Sequence, residues 1–423
     1  MLKDSIQSIK AAYSTPEIRQ RVYFIVIILV IFRLLAAVPV VGIDRESLSQ
    51  LFGQLGGIGD TISTVSGGVL ETASIVAIGL GPYINASIIL QLLGTVIPKL
   101  EELRKEGSQG RRIISMYTRY LTVPFAILQS FVIYSTLRGF GLVGELQTLE
   151  LITMVSALTG GALLMMWMGE LVTDKGIGQG SSYLIAIGIL ASLPSIVSNN
   201  IRTADTLQMI WFVFILLAIF AITIFLTQGE RRIKVMYSRR VRATGVQDNY
   251  VPIKLTQFGV MPVIFAVSLI SFPQLIAQFL VSRDFNTKLT EISSDIIRYL
   301  SNPLTVDIAT FLLVIAFSFF YVTVVFNADE LAENLQKQGA FIPGIRPGKQ
   351  TASFLRKSSF RLTAVGGVFL ATLAILPNVL VQTGILSATI MSGTGLLIII
   401  GTVLEIKRQI ESMIVVRSYD RYL

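Results

Sequence analysis

The sequence predicts an all-α polytopic membrane protein of ten transmembrane helices, arranged as two five-helix sets of opposite topology. Three observations predict it. Hydrophobic residues make up 52% of the 423 residues against 14% charged, and mean hydropathy is +0.69, values outside the range of soluble domains. Ten apolar runs are long enough to cross a hydrocarbon core as helices. Basic residues concentrate in alternate loops.

Residues 1–21 read as a polar lead-in without a cleavable signal pattern. The first five runs lie near Val22–Val40, Thr72–Ile97, Ile113–Leu137, Leu151–Val172 and Ser182–Ser198. The second five lie near Leu207–Gln228, Leu255–Val281, Leu304–Phe326, Leu362–Val381 and Ile385–Ile406, the last after a tight Gln382–Gly384 turn. Gly79, Gly81, Pro82, Gly160, Gly161, Pro262, Gly366 and Gly367 sit inside these runs, as close helix packing and kinking in lipid allow. The loops after runs 2, 4, 6 and 8, together with both termini, carry about twice as many Lys+Arg as Asp+Glu; the remaining loops reverse the ratio. The positive-inside rule therefore puts the first set and both termini in the cytoplasm. Because five is odd, residues 1–206 and 207–423 must run with opposite topology, which permits an inverted repeat around a central pathway.

Between the first two runs, Gly53, Gly56, Gly57, Gly59, Gly67 and Gly68 fall within sixteen residues, and Asp60, Thr61, Ser63, Thr64 and Ser66 alternate there with Ile58, Ile62, Val65, Val69 and Leu70. The stretch is too polar and flexible to span and too apolar for an ordinary solvated loop. Irregular backbone at membrane depth is tolerated only inside protein or beside a water-filled cavity. Two readings stand on these residues alone: a floppy external loop, or a broken half-segment lining a pathway through the membrane.

Two cytoplasmic loops are long. Residues 229–254 carry Arg231, Arg232, Lys234, Arg239, Arg240, Arg242 and Lys254 against Glu230 and Asp248. Residues 327–361 contain Gly339–Lys349, in which Pro343, Gly344, Pro347 and Gly348 surround Arg346. Such charge near span ends sets topology and attracts anionic lipid. The proline–glycine scaffold around Arg346 asks for more, since topology needs charge but no rigid, non-helical projection. A docking surface for a large cytosolic partner, acidic or RNA-rich, fits both loops.

Composition also removes chemistries. With no cysteine and no histidine, disulfides, thiol nucleophiles and imidazole metal sites are excluded. No Gly-x-x-x-x-Gly-Lys-[Ser/Thr] loop is present, so the chain does not supply nucleotide energy itself. An intramembrane enzyme would need paired Asp or Ser–Lys constellations in its spans, and none is evident; no enzymatic activity and no cofactor are expected. A secondary solute transporter would share the halves and the broken segment, yet needs polar or ionisable residues converging at mid-membrane, where this chain is aliphatic. Glu170, beside Asp174 and Lys175 at a span end, reads as a snorkelling or loop-bracing carboxylate before a proton relay. Arg33 receives no role.

Four stretches carry a family resemblance: Ser74–Gln91 (SIVAIGLGPYINASIILQ), Lys105–Tyr120 (KEGSQGRRIISMYTRY), Trp167–Gly180 (WMGELVTDKGIGQG) and Asn334–Gly348 (NLQKQGAFIPGIRPG). With the number and spacing of the spans, they resemble the SecY family of protein-conducting channels of the bacterial plasma membrane, over essentially the whole chain. The departures are Gln179 where asparagine is usual, Ala328 where proline often follows Phe-Asn, and Leu80 where isoleucine is common.

The resemblance implies two inverted five-helix halves around a central pore that passes unfolded preproteins and releases transmembrane segments sideways into lipid. It implies that residues 53–70, with Gly57, Thr61, Ser66, Gly67 and Gly68, form a plug. Leu80, Ile84, Ile185, Ile189, Ile264 and Ile398 match its pore ring, although periodicity alone reads them as ordinary helix packing. Asn85 and Phe272 match a lateral gate, to which Ser87, Gln91, Gln257 and Ser268 add polar groups. Arg231, Arg232, Arg239, Arg240, Arg242, Arg346 and Lys349 match the surface that docks a motor or a ribosome. The implied partners are SecE-like and SecG-like membrane subunits, a SecA-like motor ATPase, the translating ribosome, signal peptides and anionic lipids.

Overall fold

A computed structural model describes residues 15–40, 74–139, 147–203, 206–237, 250–256, 259–283, 287–383 and 393–420. The first half contributes α1 (Pro16–Ala37), α2 (Gly81–Val96), α3 (Pro98–Lys105), α4 (Ser108–Gly139), α5 (Thr148–Lys175) and α6 (Gly180–Thr203). There follow α7 (Thr206–Gln228), β1 (Glu230–Lys234), β2 (Met236–Tyr237), β3 (Tyr250–Lys254), α8 (Met261–Arg283), α9 (Thr287–Ser301) and α10 (Pro303–Val325). The chain continues through α11 (Ala328–Lys337), β4 (Ala340–Phe341), α12 (Lys349–Gln382) and α13 (Gly393–Asp420).

The fold is all-α and membrane-embedded in character. Each apolar run overlaps one of α1, α2, α4, α5, α6, α7, α8, α10, α12 and α13 among the described residues. Among the described residues, five helical stretches are long and apolar enough to cross a membrane, or six when α2 and α3, bent by 104° at Ile97, count as one span. Outward faces are apolar both on these and on the shorter apolar α7: Ile27, Val30 and Leu34 of α1, Phe214, Leu217 and Phe225 of α7, and Leu304, Ile308 and Leu312 of α10 are exposed. In water such surface would be an aggregation liability; in lipid it has the right solvent.

Local sequence explains the helix starts. Pro16, Pro82, Pro98 and Pro303 each occupy a first-turn position, where the missing N–H costs no hydrogen bond. Gln147 and Glu150 cap α5 reciprocally, and Asn302 and Asn327 accept the backbone N–H of Leu304 and Glu330.

Several boundaries differ from expectation. The second apolar run is not helical from its start: Ser74–Leu80 is a succession of turns, Gly79 has φ 62, and the helix begins only at Gly81. A left-handed glycine interrupts any helix running into Gly81-Pro82. This segment leans on the end of α1, where Ile75 N donates to Val38 O at 3.0 Å. It also lies against α5 so closely that a Cβ on Gly161 would sit 1.9 Å from Ile75 O. α4 and α12 run to 32 and 34 residues, well past their apolar stretches, because nothing in the flanking polar sequence breaks them. Residues 287–301, expected as loop, form α9.

The two halves meet mainly along α8 against α2 and α4, and along α13 against α6. The largest helix–helix interface pairs α10 with α12. One extensive buried cluster runs through α1, α2, α5, α6, α8, α10, α12 and α13, and a smaller one joins Ala126 and Tyr134 of α4 to Met154, Leu158 and Ala162 of α5.

Candidate functional site: a buried aliphatic ring, a seam and a strand-clipped loop pair

Six side chains matched to a ring from sequence fall in one buried cluster. Leu80 stands immediately before α2 and Ile84 one turn on; Ile185 and Ile189 lie on α6, Ile264 on α8 and Ile398 on α13. Their exposures run only from 2% to 6%, and all belong to the central cluster that joins the halves. Leu80 owes its place to the turn that precedes α2, so the break in the second apolar run is what sets the geometry here. Short aliphatic side chains pack densely without holding any partner by hydrogen bonds.

The seam lies between α2 and α4 on one side and α8 on the other. Asn85 is buried on α2. Gln91 Nε2 donates to Ser87 Oγ at 3.1 Å; the two amphipathic groups satisfy each other along one helix and do not reach across. Ser268 on α8 is buried, and its hydroxyl has no hydrogen-bond partner among the described residues. One turn on, Phe272 packs edge-on against Phe125 of α4, with centroids 5.3 Å apart. Phe125 escaped the sequence reading because a phenylalanine in an apolar run carries no local mark of its contacts. Gln257 lies outside the described residues, as do Gly57, Thr61, Ser66, Gly67 and Gly68.

The two basic loops form one unit. β1 and β3 pair antiparallel, from Glu230 opposite Lys254 to Lys234 opposite Tyr250, and β2 pairs with β4 of the other loop, Met236 opposite Phe341. Ile233, Val235 and Ile253 from the first loop bury against Ala332 and Leu335 of α11, Ile342, and Leu355 of α12. Arg356 Nη2 closes the unit on Asp329 Oδ2 at 2.6 Å. The expected projection is therefore narrower than the loop: residues 328–337 are helical, Lys349 opens α12, and the irregular stretches are the turn at 338–339 and residues 342–348. Gly344 and Gly348 there have φ 81 and 92, which explains glycine at both. Arg346 and Lys349 are exposed, and Thr351 Oγ1 ties down the Arg346 carbonyl at 2.9 Å.

The other basic residues divide. Arg231 is exposed on β1, a hairpin strand and not a loose loop. Arg232 is engaged: Nε donates to Glu230 at 2.7 Å and the guanidinium lies 4.7 Å from the Tyr250 ring centre, and the Glu230 bond raises its pKa further. Lys254 is half-buried, its pKa lowered first by burial and then by Arg408. Arg239, Arg240 and Arg242 lie outside the described residues.

Three charged features have partners that the sequence does not name. Glu170 braces helix to helix, accepting from Arg119 Nε at 2.9 Å and Ser115 Oγ at 3.3 Å on α4; its partners are not the adjacent Asp174 and Lys175. Asp307, buried on α10, accepts from Asn378 Nδ2 at 3.0 Å and Gln382 Nε2 at 2.7 Å on α12. An acid inside an apolar run was the available signal; it was absorbed into the loop-charge balance. Glu405 and Arg408 of α13 line a polar cavity of about 240 Å³ with Thr223, Thr227 and Thr256, and Arg408 donates to the Thr227 carbonyl. Among the described residues no group of acids could hold a metal ion.

Residues 74–407 match the SecY family model. The protein translocase subunit SecY of Mycobacterium bovis is 38% identical over 445 residues, covering all of both chains. A solved protein-conducting channel aligns with a TM-score of 0.68 at 18% identity, over 93% of this chain and 92% of that one. Sec61 in the canine ribosome–channel complex aligns with a TM-score of 0.64 at 17% identity, over 93% and 92%. With the family match and a full-length relative both spanning the aliphatic cluster, the seam between the halves and the strand-clipped loops, the chain belongs to the SecY family and is a protein-conducting membrane channel.

Proposed function

We propose that this channel passes unfolded preproteins across the bacterial plasma membrane, with ten spans in two opposed halves and both termini in the cytoplasm. The halves are residues 1–206 and 207–423. Leu80, Ile84, Ile185, Ile189, Ile264 and Ile398 form the constriction and residues 53–70 plug it from outside. An aliphatic constriction resists wetting and blocks ions, yet yields to a sliding chain because it binds no side chain tightly. The convergence of those six residues in one buried cluster is the observation that carries this reading. It also disfavours a secondary solute carrier, which needs polar groups where these aliphatic side chains meet.

Apolar segments leave sideways through the seam of α2 and α4 with α8. A segment of about 20 residues gains a few tenths of a kcal/mol for each Leu or Ile that reaches lipid, so a hydrophobic signal sequence supplies the bias and the seam supplies the exit. The strand-clipped loops present Arg346, Lys349 and Arg231 to a SecA-like motor ATPase or a translating ribosome. SecE-like and SecG-like subunits and anionic lipids complete the assembly.

The test is Ile84→Asn in reconstituted vesicles. A hydrated constriction should pass ions at rest and accept preproteins with defective signal sequences. Wild-type ion leak together with wild-type rejection of those preproteins would exclude the ring assignment.

A further inference from the structure

We infer that α9 lies in the membrane–water interface, on the side of the molecule opposite the strand-clipped loops, and anchors the adjoining ends of α8 and α10 to the headgroup layer. The 15-residue helix follows α8 and runs directly into α10, so it sits at the end of α8 remote from β3. Its surface divides into three sectors. Leu289, Ile292, Ile296 and Tyr299 recur at spacings of three, four and three, which places them on one helix face. All four are exposed, at 45%, 57%, 36% and 67%. A second sector faces the protein, where Ser293 is only 2% exposed and Thr290, Ile297 and Leu300 are half-buried, packed on α8 and α10. Lys288, Glu291, Asp295 and Arg298 occupy the third sector and are exposed.

This order is unusual for a helix covering a core. The sector against the protein holds Ile297 and Leu300 beside a buried serine, while four further large apolar side chains stay exposed. Three sectors with protein, apolar solvent and water as neighbours match a helix lying flat at a bilayer surface, sunk by about 5–10 Å. Lipid is favoured over a protein occupant by continuity: the apolar stripe leads through Tyr299 into Leu304, Ile308 and Leu312 of α10, exposed at 60–61%, the surface already assigned to lipid. Tyr299 stands where that surface begins, the depth at which an amphipathic ring is most stable. Two acids and two bases in the polar sector cancel, so apolar burial drives the contact and anionic lipid is not required.

The absence of native cysteine makes the placement measurable. Ile292→Cys, Ile296→Cys and Ser294→Cys, each labelled with an environment-sensitive fluorophore, would be compared in the full chain, in translocation-active vesicles with and without anionic lipid. The labels at 292 and 296 should be quenched several-fold more by nitroxide lipids with a shallow label than with a deep one. The label at 294 should be quenched several-fold more by aqueous iodide than the other two, and neither pattern should depend on anionic lipid. Equal iodide quenching at all three positions would overturn the proposal in favour of a solvated helix. Protection of 292 and 296 from both quenchers would overturn it in favour of a covering protein.

Discussion

Phe125 of α4 and Phe272 of α8 meet edge to face, with planes at 89° and centroids 5.3 Å apart, and so close the seam between the two halves. Such a pair is worth about 0.5–1.5 kcal/mol beyond its area. One turn away, the buried and unpartnered hydroxyl of Ser268 costs about 1–3 kcal/mol. The two contributions are of similar size and opposite sign.

Phe125→Cys combined with Phe272→Cys should therefore react with a short bifunctional thiol reagent at rest, and locking the pair should stop preprotein export. No native thiol competes. Crosslinking is read by gel mobility after cleavage between α4 and α8, and export by protease protection; full export with the link complete would exclude this seam as the exit. Phe125→Ala alone should loosen the rest state and relax rejection of weak signal sequences.

Asp307 clips α10 to α12 through two amide donors. Asp307→Ala removes the acceptor shared by half-buried Asn378 and exposed Gln382 and should destabilise the protein by about 1 kcal/mol. Asp307→Asn keeps an acceptor oxygen and should lose less. Thermal unfolding in mild detergent checks the order; identical midpoints for the two variants would show that the clip contributes nothing.

Glu170 is braced by Arg119, whose side chain is half-exposed. The pair should contribute no more than about 1 kcal/mol. Glu170→Gln retains an acceptor for Ser115 and should leave the pH profile of export unchanged, whereas a proton relay at this position would lose its acidic limb. The profile itself decides the matter.

At Gly161 the constraint is backbone contact. A Cβ would overlap the Ile75 carbonyl, and that carbonyl cannot move without disturbing the turn that sets Leu80. Gly161→Ala should lower thermal stability and raise ion leak together, while Gly160→Ala, with open space around its Cβ, should do neither.

Arg346 separates docking from topology. Topology depends on summed charge near span ends, so Arg346→Glu should insert normally while motor-driven export collapses. An ammonium cannot reproduce a planar guanidinium's multidentate hydrogen bonding, and Arg346→Lys should also be impaired. Arg231→Glu should be milder. ATP-dependent translocation into vesicles, read beside protease mapping of the loops, checks all three; normal export by Arg346→Glu would remove the docking role.

Much of the fold was legible because burial in lipid leaves a one-dimensional record. A helix must satisfy its own backbone in hydrocarbon, so a span is written as a long apolar run, and each apolar run overlaps a helix among the described residues. The six aliphatic positions singled out by motif resemblance fall in one buried cluster. The bend at Ile97 and the late start of α2 were not legible, although Gly79 and Pro82 marked the place. α9 was missed because residues 282–303 were read for charge and not for the stripe at 289, 292, 296 and 299.

By itself, the sequence determined the solvent of each segment, and the absence of thiol and imidazole chemistry. Those properties follow from side-chain type and local period alone. Tertiary structure decided which residues meet: Phe125 with Phe272, Arg119 with Glu170, Asp307 with Asn378 and Gln382, and strand β2 with β4 across more than a hundred residues of chain. A contact between distant segments depends on how whole helices cross and rotate, and each apolar face offers many packings of similar transfer energy. Only the assembled bundle, where close approach at Gly161 and the pairing of buried polar groups are enforced simultaneously, selects one.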